Sequence, residues 1–539
     1  MYDSASIPTE RMQISRKSEL DSVNSVSNGL LINLDGRKWD WLRLQAIFSL
    51  LISLELVANA AVTPAYPLKP SANGRYVVDS NNVPFLIIGD APHSILANLN
   101  NADAKTYLTN RGSNGFNALW IELLCDSYTK GRGTEGSPNY GHDVNGNNPF
   151  TRKLTGGYYD LTTPNPAYWS HVDYIVQTAA TNELQCVLTP LDQGGWTQTS
   201  LQNGTNRCYQ YGQFLGNRYK DSPNIIWNLG NDFQNWANQQ NDAVILAIAD
   251  GIKSVDRNHL MTIQLNYFVS ESQDDLNWIS RITANGVYTC YPTYDETLVA
   301  HNKPTIMPVL FLEEHYEYEN VGGEEGTPKV LRRQEYWSLT SGALAGHMYG
   351  NHYTWTFTNA WQYHLDTTGM QQLMYFKNFF SSLNWYNPVT WTFASGWQSH
   401  LQTTGVRQLM YFKNFFSSRK WYNLVPDQSH TLLTAGYGTY TTRGNVSDSD
   451  HATAARTPDG TLAVVYTPVS HTLTIVMNNF SSRVTARWYD PTANTFRAIA
   501  GSPFPNIGTH KFTTPGNNSA GDSDWVLVLE AVRMQSTDR

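Results

Sequence analysis

The chain has 539 residues, 41% of them hydrophobic and 15% charged, with a formal net charge of -8, so it can bury a large core and divide into domains, which excludes wholesale disorder. An acidic balance with no block of Lys and Arg offers nothing to neutralise a phosphate backbone and argues against a nucleic-acid partner. Its 17 Trp, 31 Tyr and 20 Phe suit a surface that stacks on sugar rings.

In chain order, residues 1–62 read as an N-terminal extension. Arg43 precedes the apolar run Ala46 to Leu54, and Ala58-Asn59-Ala60 places small residues where a signal peptidase reads. This is a secretory pattern, too short for a membrane span. The expectation is a secreted, extracellular product with no stable membrane insertion; the polar stretch Met1 to Asp40 before the run means either that the true start lies nearer the run, the favoured reading, or that the run is an uncleaved anchor. Sequons at Asn203, Asn445, Asn479 and Asn517 fit secretion.

From about Asn73, short β-rich runs alternate with longer amphipathic stretches, the rhythm of parallel strands joined by helices. Eight candidate strands run Phe85 to Gly89, Phe116 to Ile121, Leu184 to Thr189, Ile225 to Leu229, Leu260 to Gln264, Val287 to Thr289, Ile306 to Phe311 and Ala345 to Gly350, each with space for a helix after it. They predict an α/β chain with a (β/α)8 TIM barrel over residues 63–424. No GxGxxG or GxxxxGK motif supports a nucleotide-binding open sheet. Cys125, Cys186, Cys208 and Cys290 form no CxxC pair, so no zinc site is indicated, no metal or other cofactor is expected, and buried thiols and disulfides both stay open.

A tandem duplication occupies 355–423: Trp355 to Asn387 recurs 36 residues on as Trp391 to Asn423, with 24 of 33 positions identical. Each copy carries one amphipathic helix, through Leu373, Met374, Phe376, Phe379 and Phe380 or through Leu409, Met410, Phe412, Phe415 and Phe416. A barrel has room for one eighth helix, and the sequence does not say which copy supplies it. After Pro426, short alternating strands such as Leu462 to Tyr466, His471 to Met477, Val484 to Tyr489 and Trp525 to Leu529 predict an all-β sandwich over residues 425–539.

Hydrolysis of a glycosidic bond needs two carboxyl groups flanking it, and a barrel carries such groups where its strands end. Asp232 closes the apolar run Ile225 to Leu229 through Gly230-Asn231, and Glu313-Glu314 closes Pro308 to Leu312. The 81 residues from Asp232 to Glu313 are close to three βα units of roughly 30 residues, so the fourth and seventh strands would face each other across the mouth. Strict pleating puts Val309, Phe311 and Glu313 on one face and Leu310, Leu312 and Glu314 on the other, without saying which points inward. Further candidates for substrate contact are Asp90, His93, Glu122, Asp192, Trp196, Asn231, Tyr291, Tyr316, His347 and Trp355, although for any one of them alone a packing role competes.

Gly89-Asp90 after Phe85 to Ile88, the run Gly115 to Ala118, the WNLGND stretch ending in Asp232, the EEHYE stretch Glu313 to Glu317 and Met348-Tyr349-Gly350 through Trp355 together resemble the apiosidase-like glycoside hydrolases, glycoside hydrolase family 140 and its relatives. The tail from Thr457 is similar to the β-sandwich, named for collagen binding, that often follows that domain. The resemblance implies a retaining hydrolase with Asp232 as acid/base and Glu313 as nucleophile. In the family's pattern Glu-Pro-x-Tyr-Glu, Glu314 stands where Pro is usual. It also implies plant cell-wall substrates, apiose-containing pectic glycans among them. Ala91-Pro92-His93 departs from the usual Thr-aromatic, and Gly230-Asn231-Asp232 from Gly-Gly-Asp. The expected partner is a carbohydrate and the expected state a monomer. Two rivals are a non-catalytic matrix- or glycan-binding adhesion protein and a cellulase- or mannanase-like hydrolase on the same barrel.

Overall fold

The computed structural model describes residues 64–127, 129–359, 361–382 and 421–532, with short strands Asn33–Leu34 and Arg37–Lys38. The chain divides into two units, Met1–Ala60 and Ala61–Arg539. In the first, the two short strands pair antiparallel. The signal-like run and most of the second repeat copy lie outside the described residues.

The second unit opens with a three-stranded antiparallel sheet, Lys69–Pro70, Val77–Val78 and Pro84–Phe85. Eight parallel strands follow: β1 (Ile87–Asp90), β2 (Ala118–Glu122), β3 (Gln185–Thr189), β4 (Ile225–Asn228), β5 (Leu260–Thr262), β6 (Asn285–Thr289), β7 (Val309–Glu313) and β8 (Gly346–Tyr349), hydrogen-bonded in the order β5-β4-β3-β2-β1-β8-β7-β6. Between β5 and β6, side chains and loop amides replace the ladder: the Ser272 hydroxyl accepts from Gly286 N at 2.8 Å and donates to the Ile263 carbonyl, while Thr283 N and Ala284 N donate to the Met261 carbonyl at 2.7 and 3.0 Å. The result is the predicted (β/α)8 fold.

Among the described residues, seven helices of nine residues or more wrap the sheet: α1 (Asn101–Ser113), α2 (Pro166–Thr181), α3 (Gln193–Tyr219), α4 (Gln239–Val255), α5 (Thr293–His301), α6 (Pro328–Thr340) and α7 (Thr368–Ser382). Most begin on a side-chain cap, such as Asn100 accepting from Ala102 N and Asp103 N before α1. One expectation fails. After β5 no helix forms, and a short strand, Val269–Glu271, runs antiparallel to β6 and leads into a 3-10 turn at Ser272–Asp274. The β-forming run Tyr267-Phe268-Val269 favours that course. The eighth helix, α7, comes from the first repeat copy and buries Leu373, Phe376, Phe379 and Phe380.

Alternation along the strands sorts the core into two layers. Ile87, Ala118, Trp120, Val187, Ile226, Leu260, Leu310, Leu312 and Met348 fill the barrel with Leu68, Val77 and Phe85 from the opening sheet. Ile88, Leu119, Ile121, Cys186, Leu188, Ile225 and Trp227 face the helices. All four cysteines are buried free thiols. Among the described residues no helix is long and apolar enough to cross a membrane, and no group of three His, Cys, Asp or Glu is arranged to hold a metal ion.

The C-terminal part is the predicted all-β sandwich, a six-stranded sheet facing a three-stranded one around Leu433, Val465, Ile475, Trp488, Phe512 and Leu527. It docks on α6. Arg332, fully buried, donates to Asp524 twice at 2.8 Å and to Asp522 at 2.8 Å. Arg333 caps the carbonyls of Val446 and Ser447 at 2.8 Å and of Pro468 at 3.1 Å, and Tyr336 stacks on Tyr466 at 5.0 Å. Removing one member of a buried ion pair strands the other in low dielectric. Arg332→Met is therefore expected to lower the unfolding free energy by about 3 to 5 kcal/mol, read by denaturant titration; a change within error of zero would show that Asp524 is satisfied without it.

Candidate active site

The loop after β4 is fixed before any substrate arrives. Asp232 takes a left-handed backbone at φ 47°, uncommon for a residue with a β-carbon. Neighbouring amides hold it there. Gln193 donates to the Leu229 carbonyl at 3.1 Å and accepts from Asn231 N, and Gln264, two residues past β5, accepts from Asp232 N at 2.8 Å. The same Gln264 amide donates to the Glu313 carboxylate. One side chain therefore bridges the fourth and seventh strand ends, and the Asp232 charge is felt at Glu313.

Glu313 arrives there through a β-bulge. Leu310 and Leu312 point into the barrel and Val309 and Phe311 point out, so strict alternation would turn Glu313 outward. The ladder with β6 pairs Val287 with Phe311 but Tyr288 with Glu313, skipping Leu312, and the extra residue reverses the pleat. Glu313 lies inward against Gln264 and Tyr316, and Glu314 lies outward. The even-spacing assumption for this strand is thus corrected at its last residue. Burial first and the Asp232 charge second push the Glu313 carboxyl well above the usual carboxylate range, opposed by hydrogen bonds from Gln264 and Tyr316.

Around the pair the structure gathers several of the expected side chains. His93 meets the Tyr316 hydroxyl at 2.7 Å and Glu122 at 3.3 Å, and Asn231 donates to Glu122. Trp355 stands edge-on to His93 and Tyr316 at 6.0 and 6.1 Å. Tyr291 lies at the rim, half-buried, with Phe268 against it and the Arg443 guanidinium 5.0 Å over its ring.

Four expected residues stand elsewhere. Asp90 shares the outward parity of Ile88 and is sealed in an ion pair with Arg111 at 2.6 Å, beside the Tyr107 hydroxyl. His347, outward on β8, stacks on Phe311 at 5.2 Å and meets Glu314 at 3.0 Å. Asp192 caps α3 through Gly194 N at 2.8 Å, and burial with the Glu122 and Asp126 charges pushes its carboxyl well up. Trp196 is fully buried, packed 4.1 Å from Tyr140 and donating to the Cys125 carbonyl at 3.2 Å, so it offers no face to a sugar.

Sequence reading missed Gln264, Tyr267, Tyr288 and Glu319. Gln264 and Tyr288 continue the inward parity of Leu260 and Gly286, a signal the alternation carried. Tyr288, buried, feels the Glu313 charge next after desolvation. Tyr267, 43% exposed, has Asp232 and Glu319 among the charges it feels. Glu319, half-buried on a turn closed by its own N–H to the Tyr316 carbonyl at 3.0 Å, adds a third carboxylate beside His93 and Asp232.

Residues 71–423 match the family described as "Apiosidase-like, catalytic domain" and residues 439–530 the family described as "Putative collagen-binding domain of a collagenase". A glycoside hydrolase family 5 protein from Bacteroides vulgatus has a similar fold, at 22% identity and TM-score 0.63, over 86% of this chain and 93% of that one. A second solved structure, described as a glycoside hydrolase, aligns at 22% identity and TM-score 0.67 over 88% of this chain and all of that one. No curated protein matches the sequence.

Outside the pocket, Glu335 on α6 is fully buried, and its carboxyl is pushed up to about 8 by burial and by Glu314. An unfolded glutamate releases its proton near pH 4.3, so between roughly pH 4.3 and 8 the folded chain holds a proton that the unfolded chain has lost, and stability falls as pH rises through that window. Glu335→Gln is expected to flatten the fall and to stabilise the protein near pH 8 by on the order of a few kcal/mol. Unfolding of both proteins across that range checks it, and parallel pH slopes would refute it.

Proposed function

Since this chain belongs to the apiosidase-like glycoside hydrolase family, we propose that it is a retaining enzyme in which Glu313 attacks the anomeric carbon and Asp232 protonates the departing oxygen. The observation that carries the pairing is the Gln264 amide, bonded to Asp232 N on one side and to the Glu313 carboxylate on the other. The Asp232 charge is felt at Glu313, and carboxyl groups that interact strongly titrate as a pair. Burial pushes the Glu313 carboxyl up, the Gln264 and Tyr316 hydrogen bonds oppose this and favour its ionised form, and in the proposed mechanism the shared proton is assigned to Asp232. In the first step the Glu313 oxygen forms the glycosyl ester while the glycosidic C–O bond breaks and takes the Asp232 proton. In the second, Asp232 removes a proton from water, the ester is hydrolysed and Glu313 is released.

His93, Glu122, Asn231, Tyr316 and Trp355 would hold the ring that carries the reacting carbon, the polar groups reading its hydroxyls and Trp355 its apolar face. Tyr291 would meet the leaving sugar at the rim. The substrate class proposed is a plant cell-wall glycan, apiose-bearing pectic chains included, on the strength of the family match, and the site of action extracellular, on the strength of the signal-like run.

Asp232→Asn is expected to cut kcat/KM on oligosaccharides by roughly 10²- to 10⁴-fold and to recover in part on aryl glycosides, whose leaving group needs no proton; Glu313→Gln should fall at least as far and not recover. Assays over a panel of pectic and hemicellulosic oligosaccharides read this, and full activity in both variants would remove the pair from the mechanism. Secretion has its own check. Asn445 and Asn517 are exposed, whereas the Asn203 amide is buried, accepting from Leu161 N at 3.0 Å and donating to the Tyr159 carbonyl at 2.8 Å. Peptide mapping of the product from a eukaryotic secretory host should find glycan at the first two sites and none at Asn203; unmodified asparagine at all of them would count against secretion.

A further inference from the structure

Adjacent glutamates end β7, and the bulge decides which of them the pocket receives. Leu310 and Leu312 face inward, so a ladder without the skipped residue would put Glu314 in the pocket and Glu313 against α6. The inference rests on the reading of Glu313 as nucleophile. Since the two registers differ by a shift of one residue, something on the helix side must favour the observed one.

Behind the strand lies a sealed set of side chains that the catalytic scheme leaves unused. Glu314 is 1% exposed, and its carboxyl group, pushed up by burial, lies 3.0 Å from His347 Nε2. His347, on β8 directly beside Phe311 in the ladder, stacks on that ring with planes 5° apart. Its Nδ1 lies 3.4 Å from the Ser338 hydroxyl, which itself donates to the Glu335 carbonyl at 2.8 Å. His347 is therefore fixed on its face, by Phe311, and at its Nδ1, by α6. Its Nε2 reaches Glu314 only when Glu314 points outward. A carboxyl group buried with no other partner is costly to leave there, so the reach of His347 bears directly on the register.

We propose that His347 is a positioning residue that locks the register of β7: by holding Glu314 on the helix side, it keeps Glu313 in the pocket as the nucleophile. Without that hold, Glu314 gains by turning inward, where Gln264 and Tyr316 offer hydrogen bonds, and regular pairing carries Glu313 out as Glu314 moves in. The lock acts on the strand and requires no contact with the sugar.

Treatment of the folded, full-length protein with a water-soluble carbodiimide and glycinamide, followed by peptide mass spectrometry, reads which glutamate is accessible without needing a substrate. Wild type should carry the label on Glu313 and not on Glu314. His347→Leu fills the space but offers no polar atom, and His347→Asn is polar but too short to reach; each should raise the Glu314-to-Glu313 label ratio about tenfold or more, the shift expected when a buried carboxyl loses its polar contact, and should lower kcat with little change in KM. His347→Gln, long enough to reach, should keep the wild-type pattern. A purely packing role predicts the reverse order, with Leu tolerated best, and label confined to Glu313 in both the Leu and Asn variants would overturn the lock. Should Leu fail to fold, Asn against Gln decides the same question. Full activity in Glu313→Gln would instead remove the catalytic reading, whatever the labelling shows.

Discussion

The two-residue pleat of the barrel strands is the constraint on which the site depends. At the C-terminal ends of β1 to β8 each step along the chain moves a side chain from the barrel to the helix layer, so neighbours in sequence belong to different environments. Ile87 and Gly89 face in while Asp90 faces out to Arg111; Ala118 and Trp120 face in, and Glu122 follows them to the pocket. Every charged group at the mouth is there because its parity is inward, because it lies beyond the strand on a loop, or, for Glu313, because a bulge resets the count.

This explains what the sequence made legible. Eight apolar runs at regular intervals specified the barrel, and the 81-residue spacing was enough to bring the acids of β4 and β7 to one mouth. His93, Glu122, Asn231 and Tyr316 were identifiable as rim residues. Asp90 and His347 were misplaced although the information existed: each alternates with inward residues on its own strand, Gly89 and Met348, and so belongs to the helix layer. The bulge at Leu312 was not legible, since it adds no residue type of its own and shows only in the partner strand's register. Trp196 and Asp192 follow β3 on a helix whose rotation no short-range pattern reveals, and the aromatic cluster of Tyr140, Phe150 and Tyr159 that claims Trp196 comes from a long preceding loop.

The electrostatics of the mouth follow from crowding acids into a poorly solvated space. Asp232, Glu313, Glu319 and Glu122 converge there, and burial raises the proton affinity of Glu313 and Glu319. Neutral donors do most of the balancing: Gln264 and Tyr316 on Glu313, Asn231 on Glu122. Such donors stabilise an anion without a fixed counter-charge. A salt-bridged nucleophile would be a weaker one. Asp90, on the helix side of β1, is by contrast tied directly to Arg111.

Helix α6 joins these features to the sandwich. One face of it carries Glu335 and Ser338 toward β7 and β8, and another carries Arg332 and Arg333 into the sandwich, where Asp524 and the carbonyls of Val446, Ser447 and Pro468 receive them. Arg332 also feels its way back: its charge lowers the proton affinity of Glu335, alongside that of His347 and against that of Glu314. The helix that backs β7 is thus anchored from outside the barrel by buried ion pairs, which tolerate little displacement because each displaced charge would be left without its partner. The docking of the sandwich and the packing behind β7 thus share one helix, and a displacement of α6 at the interface would be felt at His347 and Glu314 before it reached Glu313.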